Sequence, residues 1–222
     1  MMSFADLLSS IPAPTTERTR RVLNAGCGPR SNRKHTALFD RADWSEIRLD
    51  LDPAVDPDVV GSMTDMRSQF EAESFDAIWT SHSLEHLHGH EVPPTLAEFH
   101  RILRRDGFAL ITCPDLEAVM RLFLSHGPDH VAYHSAVGPI TPLDMMFGHS
   151  RSVAHGNRHM THNTGFTAER LGNLLIDAGF AEASVRRLNY DLWALALRTD
   201  ADRPAILDQL RRAGLDMADT PR

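Results

Sequence analysis

Near its start the chain runs an apolar segment, Val22-Leu23-Asn24-Ala25, directly into Gly26-Cys27-Gly28. Two glycines at the end of a strand make a turn whose backbone takes positive φ and, lacking a Cβ, comes within contact distance of a ligand. In an open parallel sheet the ligand crevice lies beyond the carboxyl ends of the strands, where strand order reverses. A tight turn with a purely structural purpose stays open on these residues alone.

The pattern downstream decides which sheet the turn belongs to. "EIRLDLDP", closed by Pro53, "FDAIWTSH" and "FALITCP" read as further buried strands. Between the last two, "PPTLAEFHRILRRDG" places Leu96, Phe99, Ile102 and Leu103 on one helical stripe, with Pro93 and Pro94 before it and Gly107 as its stop. "TAERLGNLLIDAG" is a second helix, N-capped by Thr167 and ended by Gly179. "ASVRRLNY" and "LWALALR" are close enough to pair, and "RPAILDQLRRAG" is a terminal helix. Strands alternating with helices predict an α/β fold, a Rossmann-like doubly wound and mostly parallel sheet with a C-terminal antiparallel strand pair. A single domain over residues 1–222 is expected, with a helical extension over 1–20 ("FADLLSSIP") and a His-rich insertion or lid over 116–165.

Composition narrows the partners. A formal charge of −7 argues against a nucleic-acid footprint. No apolar run is long enough to span a membrane, and the N-terminal stretch has no basic region followed by an apolar one, so no secretory signal is expected. Cys27 and Cys113 do not suggest a disulfide framework, which makes a reducing cytoplasm the expected location. The 13 histidines, most of them between His82 and His162, are the compositional oddity.

Asp50 ends the second strand about twenty residues beyond the glycine turn, where a carboxylate accepts hydrogen bonds from ribose hydroxyls; Asp52 follows it only if the strand continues. The third glycine of a dinucleotide fingerprint is missing, since Pro29, Arg30 and Ser31 follow Gly28, and there is no phosphate-cradling G-x-x-x-x-G-K-[ST] loop. An adenosine ligand without phosphates fits better.

Taken together, "VLNAGCGPRSN", "IRLDLDP", "GSMTDM", "SFDAIWTSHSLEHL" and "LAEFHRILRRDGFALITCPDL" resemble the class I S-adenosylmethionine-dependent methyltransferases, in particular their bacterial type-11-like group. The resemblance covers about residues 21–115 and resumes at "HNTGFTAERLGNLLIDAGF". It implies the class I methyltransferase fold and S-adenosyl-L-methionine as cofactor. The methionine moiety would lie on Asn24, Ala25, Gly26, Cys27 and Gly28, the ribose on Asp50 with Leu51 beside it, and adenine against Ser62 and Met63, with a contact to Thr64 and Asp65 left open. Ser81, His82 and Leu84 would lie under the sulfonium. The sequence departs from the pattern at Asn24, where relatives carry an acid, at Arg30, and at Ser62, where an aspartate often reads adenine.

An acceptor oxygen or nitrogen loses a proton on methylation, and histidine suits that task near neutral pH. His82 at the end of the strand is the best-placed base by topology, and His86 shares its face if "SLEHL" is helical. Glu85 is expected to face solvent or cap. By resemblance, His162 of "HNTGF" is the third catalytic candidate. In the insertion, His126, His130 and His134 would form one face of a helix, and His155, His159 and His162 a second cluster; no metal site is expected from them. Met145, Met146 and Phe147 either line an acceptor pocket or pack the insertion down. Neither cysteine is expected to act as a nucleophile.

The expected function is O-methylation of a small molecule or glycan with a histidine base, with a homodimer open and no nucleic-acid or membrane partner. Two alternatives remain at this point: a non-catalytic S-adenosyl ligand-binding or partner protein, and a nucleotide-sugar or NAD-dependent Rossmann enzyme.

Overall fold

In a computed structural model, residues 18–30, 37–135 and 137–218 are described. The expected N-terminal helix over 4–12 lies outside them. The main sheet contains β1 (Arg20–Ala25), β2 (Trp44–Asp50), β3 (Val59–Val60), β4 (Phe75–Ser81), β5 (Leu103–Pro114), β8 (Glu182–Leu188) and β9 (Asp191–Leu197), in spatial order β3-β2-β1-β4-β5-β9-β8. The pairs from β3 to β5 are parallel, whereas β9 is antiparallel to both β5 and β8. The expected doubly wound sheet with its C-terminal antiparallel pair is the observed one.

Alternation along each strand divides the core into two layers. Leu23, Ile78, Ala109, Ile111 and Ala194 face a cluster covered by α1 (Val92–Ile102) and α5 (Ala168–Asp177), through Leu96, Phe99, Leu171 and Leu175. Val22, Ala77, Trp79, Leu110 and Leu195 face the opposite cluster, covered by α6 (Arg203–Arg212) through Ile206 and Leu210. Each helical stripe buries its apolar side against a strand layer, which stabilises by about 1.5–3 kcal/mol for each large side chain removed from water.

Two expected boundaries move. α1 ends at Ile102 and Leu103 already belongs to β5, because the chain turns extended there to pair with Phe75. Gly107 therefore does not stop the helix; it lies within β5, where a Cβ would stand 2.8 Å from the Asp76 carbonyl oxygen. Thr167 caps α5 as expected, accepting from the Arg170 amide at 3.2 Å.

The insertion is built from α2 (Leu116–His126), a hairpin of β6 (Tyr133–Ser135) and β7 (Gly138–Ile140), α3 (Pro142–Phe147) and α4 (Ser150–Ala154). Val119, Leu122, Ile140 and Met145 form its own small core. Asp144 fastens its middle. One carboxylate oxygen accepts from the Thr141 amide and hydroxyl at 3.0 and 2.7 Å, the other from the Ser150 amide and hydroxyl at 3.0 and 2.7 Å. Burial would raise the pKa of Asp144, but these donors outweigh it and carry the carboxyl down to about 2. A folded-state pKa below the ordinary value means the stabilisation is complete above pH 3.8 and is lost as pH falls toward 2. Asp144→Asn is expected to cost about 1–2 kcal/mol at neutral pH. In urea titrations of both proteins, that gap should narrow as the pH is stepped down below 4; a gap independent of pH would mean that the carboxylate charge is not what Thr141 and Ser150 hold.

Candidate functional site

The carboxyl ends of β1, β2, β4 and β5 all lie on one edge of the sheet, because these strands run parallel. Two arrangements meet there. On the β1–β2 side, Gly26 and Gly28 have φ of +69° and +60°. The amides of Gly26 and Cys27 both donate to the Leu49 carbonyl, which ties the turn to β2. A Cβ on Gly26 would lie 2.3 Å from Ser83 Oγ, whereas one on Gly28 would meet nothing within 4 Å among the described residues. The first glycine is thus pressed against the neighbouring loop and the second opens into the crevice.

Asp50 braces this turn as well as facing it. Its Oδ2 accepts from the Gly28 amide at 2.8 Å and its Oδ1 from the Asp52 amide at 3.0 Å, which leaves each oxygen further accepting capacity. The strand stops at Asp50, and Asp52 instead caps a short 3-10 turn by accepting from the Ala54 amide. Arg48, buried in β2, donates to the carbonyls of Gly28 and Asp56. Nothing in the sequence pattern marked Arg48; only a buried guanidinium beside an exposed carbonyl edge reveals it. Beyond Asp50 the Leu51 side chain is 56% exposed, an apolar surface beside the crevice.

Other expected cofactor residues are engaged within the protein. Asn24 Nδ2 donates to Glu46 at 2.7 Å, and Ser62 Oγ shares a 2.8 Å hydrogen bond with Thr64 while accepting from its amide. Ala25 is fully buried, and Met63 packs against the core with its Cε near Gly26. Asp65 faces solvent in an ion pair with Arg67. Cys27 is buried and its thiol is pushed up to about 11, chiefly by desolvation, so it stays protonated. Cys113 is buried in β5, and its thiol is likewise raised by burial.

The second arrangement grows from the end of β4. Ser81 is buried and accepts from the Thr112 hydroxyl at 2.9 Å. His82 takes a left-handed backbone, φ +51°, and the next residues Leu84–His86 form a 3-10 turn. His82 and His86 consequently do not share one helical face; Glu85 stands between them. His82 Nδ1 lies 3.2 Å from Glu85 Oε1, and its Nε2 lies 3.6 Å from Asp191 Oδ1. Burial opposes charge on this ring, but the two carboxylates prevail and raise its pKa to about 9. An imidazole held protonated by two carboxylates is less suited to take a proton than the free base that topology suggested for His82.

Glu85 does not face solvent: it is 1% exposed and its pKa is lowered, with burial opposed by the hydrogen bond and charge of His82. Its carbonyl accepts from the amides of Asn163 and Thr164 at 2.8 and 3.2 Å, so "HNTGF" runs as a strap along the loop after β4. That strap delivers His162. The rings of His86 and His162 stand edge to face, 4.9 Å apart. His86 Nδ1 lies 3.1 Å from the Thr161 carbonyl and His162 Nδ1 2.9 Å from the Met145 carbonyl. A carbonyl only accepts, so each Nδ1 carries a hydrogen and Nε2 is the nitrogen left clear of that bond. Burial lowers the pKa of His162, keeping it neutral. Glu85, Pro114, Met145, Met146 and His162 line a small cavity at this point.

Leu84 is fully buried in the core and cannot line the crevice. Phe147 is 60% exposed, so of the three apolar residues in the insertion Met145 and Met146 reach the cavity. The supposed helical face of His126, His130 and His134 does not form, since α2 ends at His126 and His134 lies in β6. His155 closes α4 and His159 lies in a separate 3-10 turn, both exposed, whereas His162 is half-buried. Ser83, which no motif reading singled out, joins the two halves: its hydroxyl donates to the Gly26 carbonyl at 3.1 Å.

Residues 23–111 match the sequence pattern of a family described as a methyltransferase domain. Among solved structures, the chain is similar to the CMeT domain of the citrinin polyketide synthase (17% identity over 89% of this chain and 50% of that one, TM-score 0.54). It is similar to the trans-methyltransferase CalH in complex with SAH (16%, 81% and 51%, 0.53) and to a SAM-dependent methyltransferase from Archaeoglobus fulgidus (14%, 86% and 91%, 0.53). The chain thus spans about half the length of the first two. No curated protein matches it.

Proposed function

We propose that this chain, which has the class I S-adenosylmethionine-dependent methyltransferase fold and a methyltransferase-domain match over residues 23–111, methylates a hydroxyl of a small molecule or glycan. The observation that carries the reading is adjacency. The glycine turn braced by Asp50 is joined through Ser83 to a cluster of buried Glu85 with half-buried His86 and His162.

The crevice fits the cofactor. Gly28 leaves room for a ligand, Asp50 retains accepting capacity for ribose hydroxyls, and Leu51 offers an apolar face for a base. When bound, S-adenosylmethionine supplies a methyl group on a sulfonium, and transfer to the acceptor oxygen moves the bonding pair to sulfur. The protein's own share is alignment, exclusion of water and acceptance of the hydroxyl proton. His162 is suited to that last task, with Met145 fixing its tautomer and the Glu85 carboxylate nearby to stabilise the imidazolium that forms. His86 is the second candidate, and His82 holds Glu85 in position as a cation.

Isothermal calorimetry with S-adenosylmethionine, paired with transfer of a tritiated methyl group to sugar, phenol and amine acceptors, tests this. Asp50→Ala should weaken binding by about 10- to 150-fold, equivalent to about 1.5–3 kcal/mol for a lost charge-assisted hydrogen bond. Unchanged affinity in that variant would overturn the ribose assignment. Binding without turnover on any acceptor would favour a non-catalytic S-adenosyl ligand-binding protein, and binding of NAD instead would favour a dinucleotide enzyme.

A further inference from the structure

We propose that Glu85, His86 and His162 form a binding site for one divalent transition-metal cation of the zinc or manganese type. One ligand atom of each residue lies within 4.8 Å of the other two. Two imidazoles and a carboxylate are a donor set that such ions favour, and it leaves coordination positions open for a substrate oxygen.

Three features prepare the residues for an ion. Both imidazoles engage Nδ1 with a backbone carbonyl, Thr161 for His86 and Met145 for His162, which orients the rings and presents Nε2; this is the usual outer shell of a metal-bound histidine. Glu85 Oε2 is buried without a hydrogen-bond partner among the described residues, although Oε1 meets His82. A buried anionic oxygen left unpaired is costly, and a cation seated against it removes the cost. His82 does not do so, because it meets the other oxygen, Oε1, and turns its second ring nitrogen toward Asp191. Finally, two of the three are held from outside the cluster: Asn163 Nδ2 donates to the His86 carbonyl and the Asn163 amide to the Glu85 carbonyl, both at 2.8 Å.

The ion's binding does not depend on the methyltransferase reading, but its role rests on it and changes one part of it. An acceptor hydroxyl reaching the ion releases its proton to solvent more readily, so the imidazole lone pairs serve the ion and no longer take the proton themselves. The bond made is still acceptor oxygen to methyl carbon, and the bond broken is still carbon to sulfur.

Titration of metal-free protein with Zn²⁺ or Mn²⁺ alone, read by calorimetry and by competition with a chromophoric chelator, tests the site. One ion per chain is expected with micromolar affinity, weakened at least about tenfold in Glu85→Gln and in His162→Ala, while His126→Ala, whose ring lies at the end of α2, binds as wild type. The ion should also raise the melting temperature of the wild-type protein and not of His162→Ala, provided circular dichroism shows that variant folded. No binding at 100 µM ion, or equal binding by all variants, would overturn the proposal. Methyl transfer is scored separately. Stoichiometric binding with no transfer to any acceptor would leave the metal site standing and remove the methyltransferase reading. Transfer undiminished in metal-free protein would remove the ion from the reaction.

Discussion

His162→Ala is expected to lower the rate of methyl transfer by about 10²- to 10⁴-fold while leaving the affinity for S-adenosylmethionine within about twofold. The reason is division of labour between the two halves of the edge. His162 meets Glu85, His86 and the Met145 carbonyl, and touches neither the glycine turn nor Asp50. Whether its Nε2 takes the acceptor proton or binds an ion, removal of the ring abolishes the function and leaves the nucleoside crevice intact. Steady-state rates with a fixed acceptor, set beside calorimetry for the cofactor, give the two readouts. Equal losses in both would mean that the ring holds the strap in place and has no part in the chemistry.

Gly26→Ala carries the second large effect, on binding and stability together. The left-handed backbone alone costs a non-glycine residue about 1–2 kcal/mol. The new Cβ would also stand 2.3 Å from Ser83 Oγ and 2.6 Å from its Cβ, so the loop after β4 must shift. Ser83 begins the turn that places Glu85 and His86, and displacements of about 1 Å near reacting groups can cost about 10²-fold in rate. The variant should therefore melt lower, bind S-adenosylmethionine at least about tenfold more weakly and turn over poorly. Gly28→Ala is the control. It carries similar backbone strain, φ +60°, but its Cβ meets no atom of the described residues, so the loop after β4 should stay in place. If the two variants behaved alike, contact with Ser83 would not be what requires glycine at position 26.

Much of the fold was legible because it rests on short-range periodicity. The apolar runs of β1, β4 and β5, the Leu96–Phe99–Ile102 stripe and the Thr167 cap are all local signals. The end of α1 was misplaced for the opposite reason: Leu103 fits a helical stripe, and it is extended because Phe75, distant in sequence, pairs with it. Within the site, Gly26, Gly28 and Asp50 could be recognised from spacing along one βαβ-like stretch. Glu85 could not. An acid four residues past a buried strand looks solvated until a segment more than seventy positions later covers it, as the His86–Thr161 hydrogen bond shows.

By itself the sequence determined the strand-and-helix order, the positive-φ glycine turn and the carboxylate that ends the second strand, since each follows from backbone sterics and side-chain period within a few residues. Only the tertiary structure decided which histidine keeps its proton and which stays neutral. That depends on β9 running antiparallel, so that Asp191 arrives opposite Pro114 and beside His82, and on the "HNTGF" strap folding His162 against Glu85. The protonation state of an imidazole is set by the charges and burial around it, and those are contributed by segments far apart in the chain.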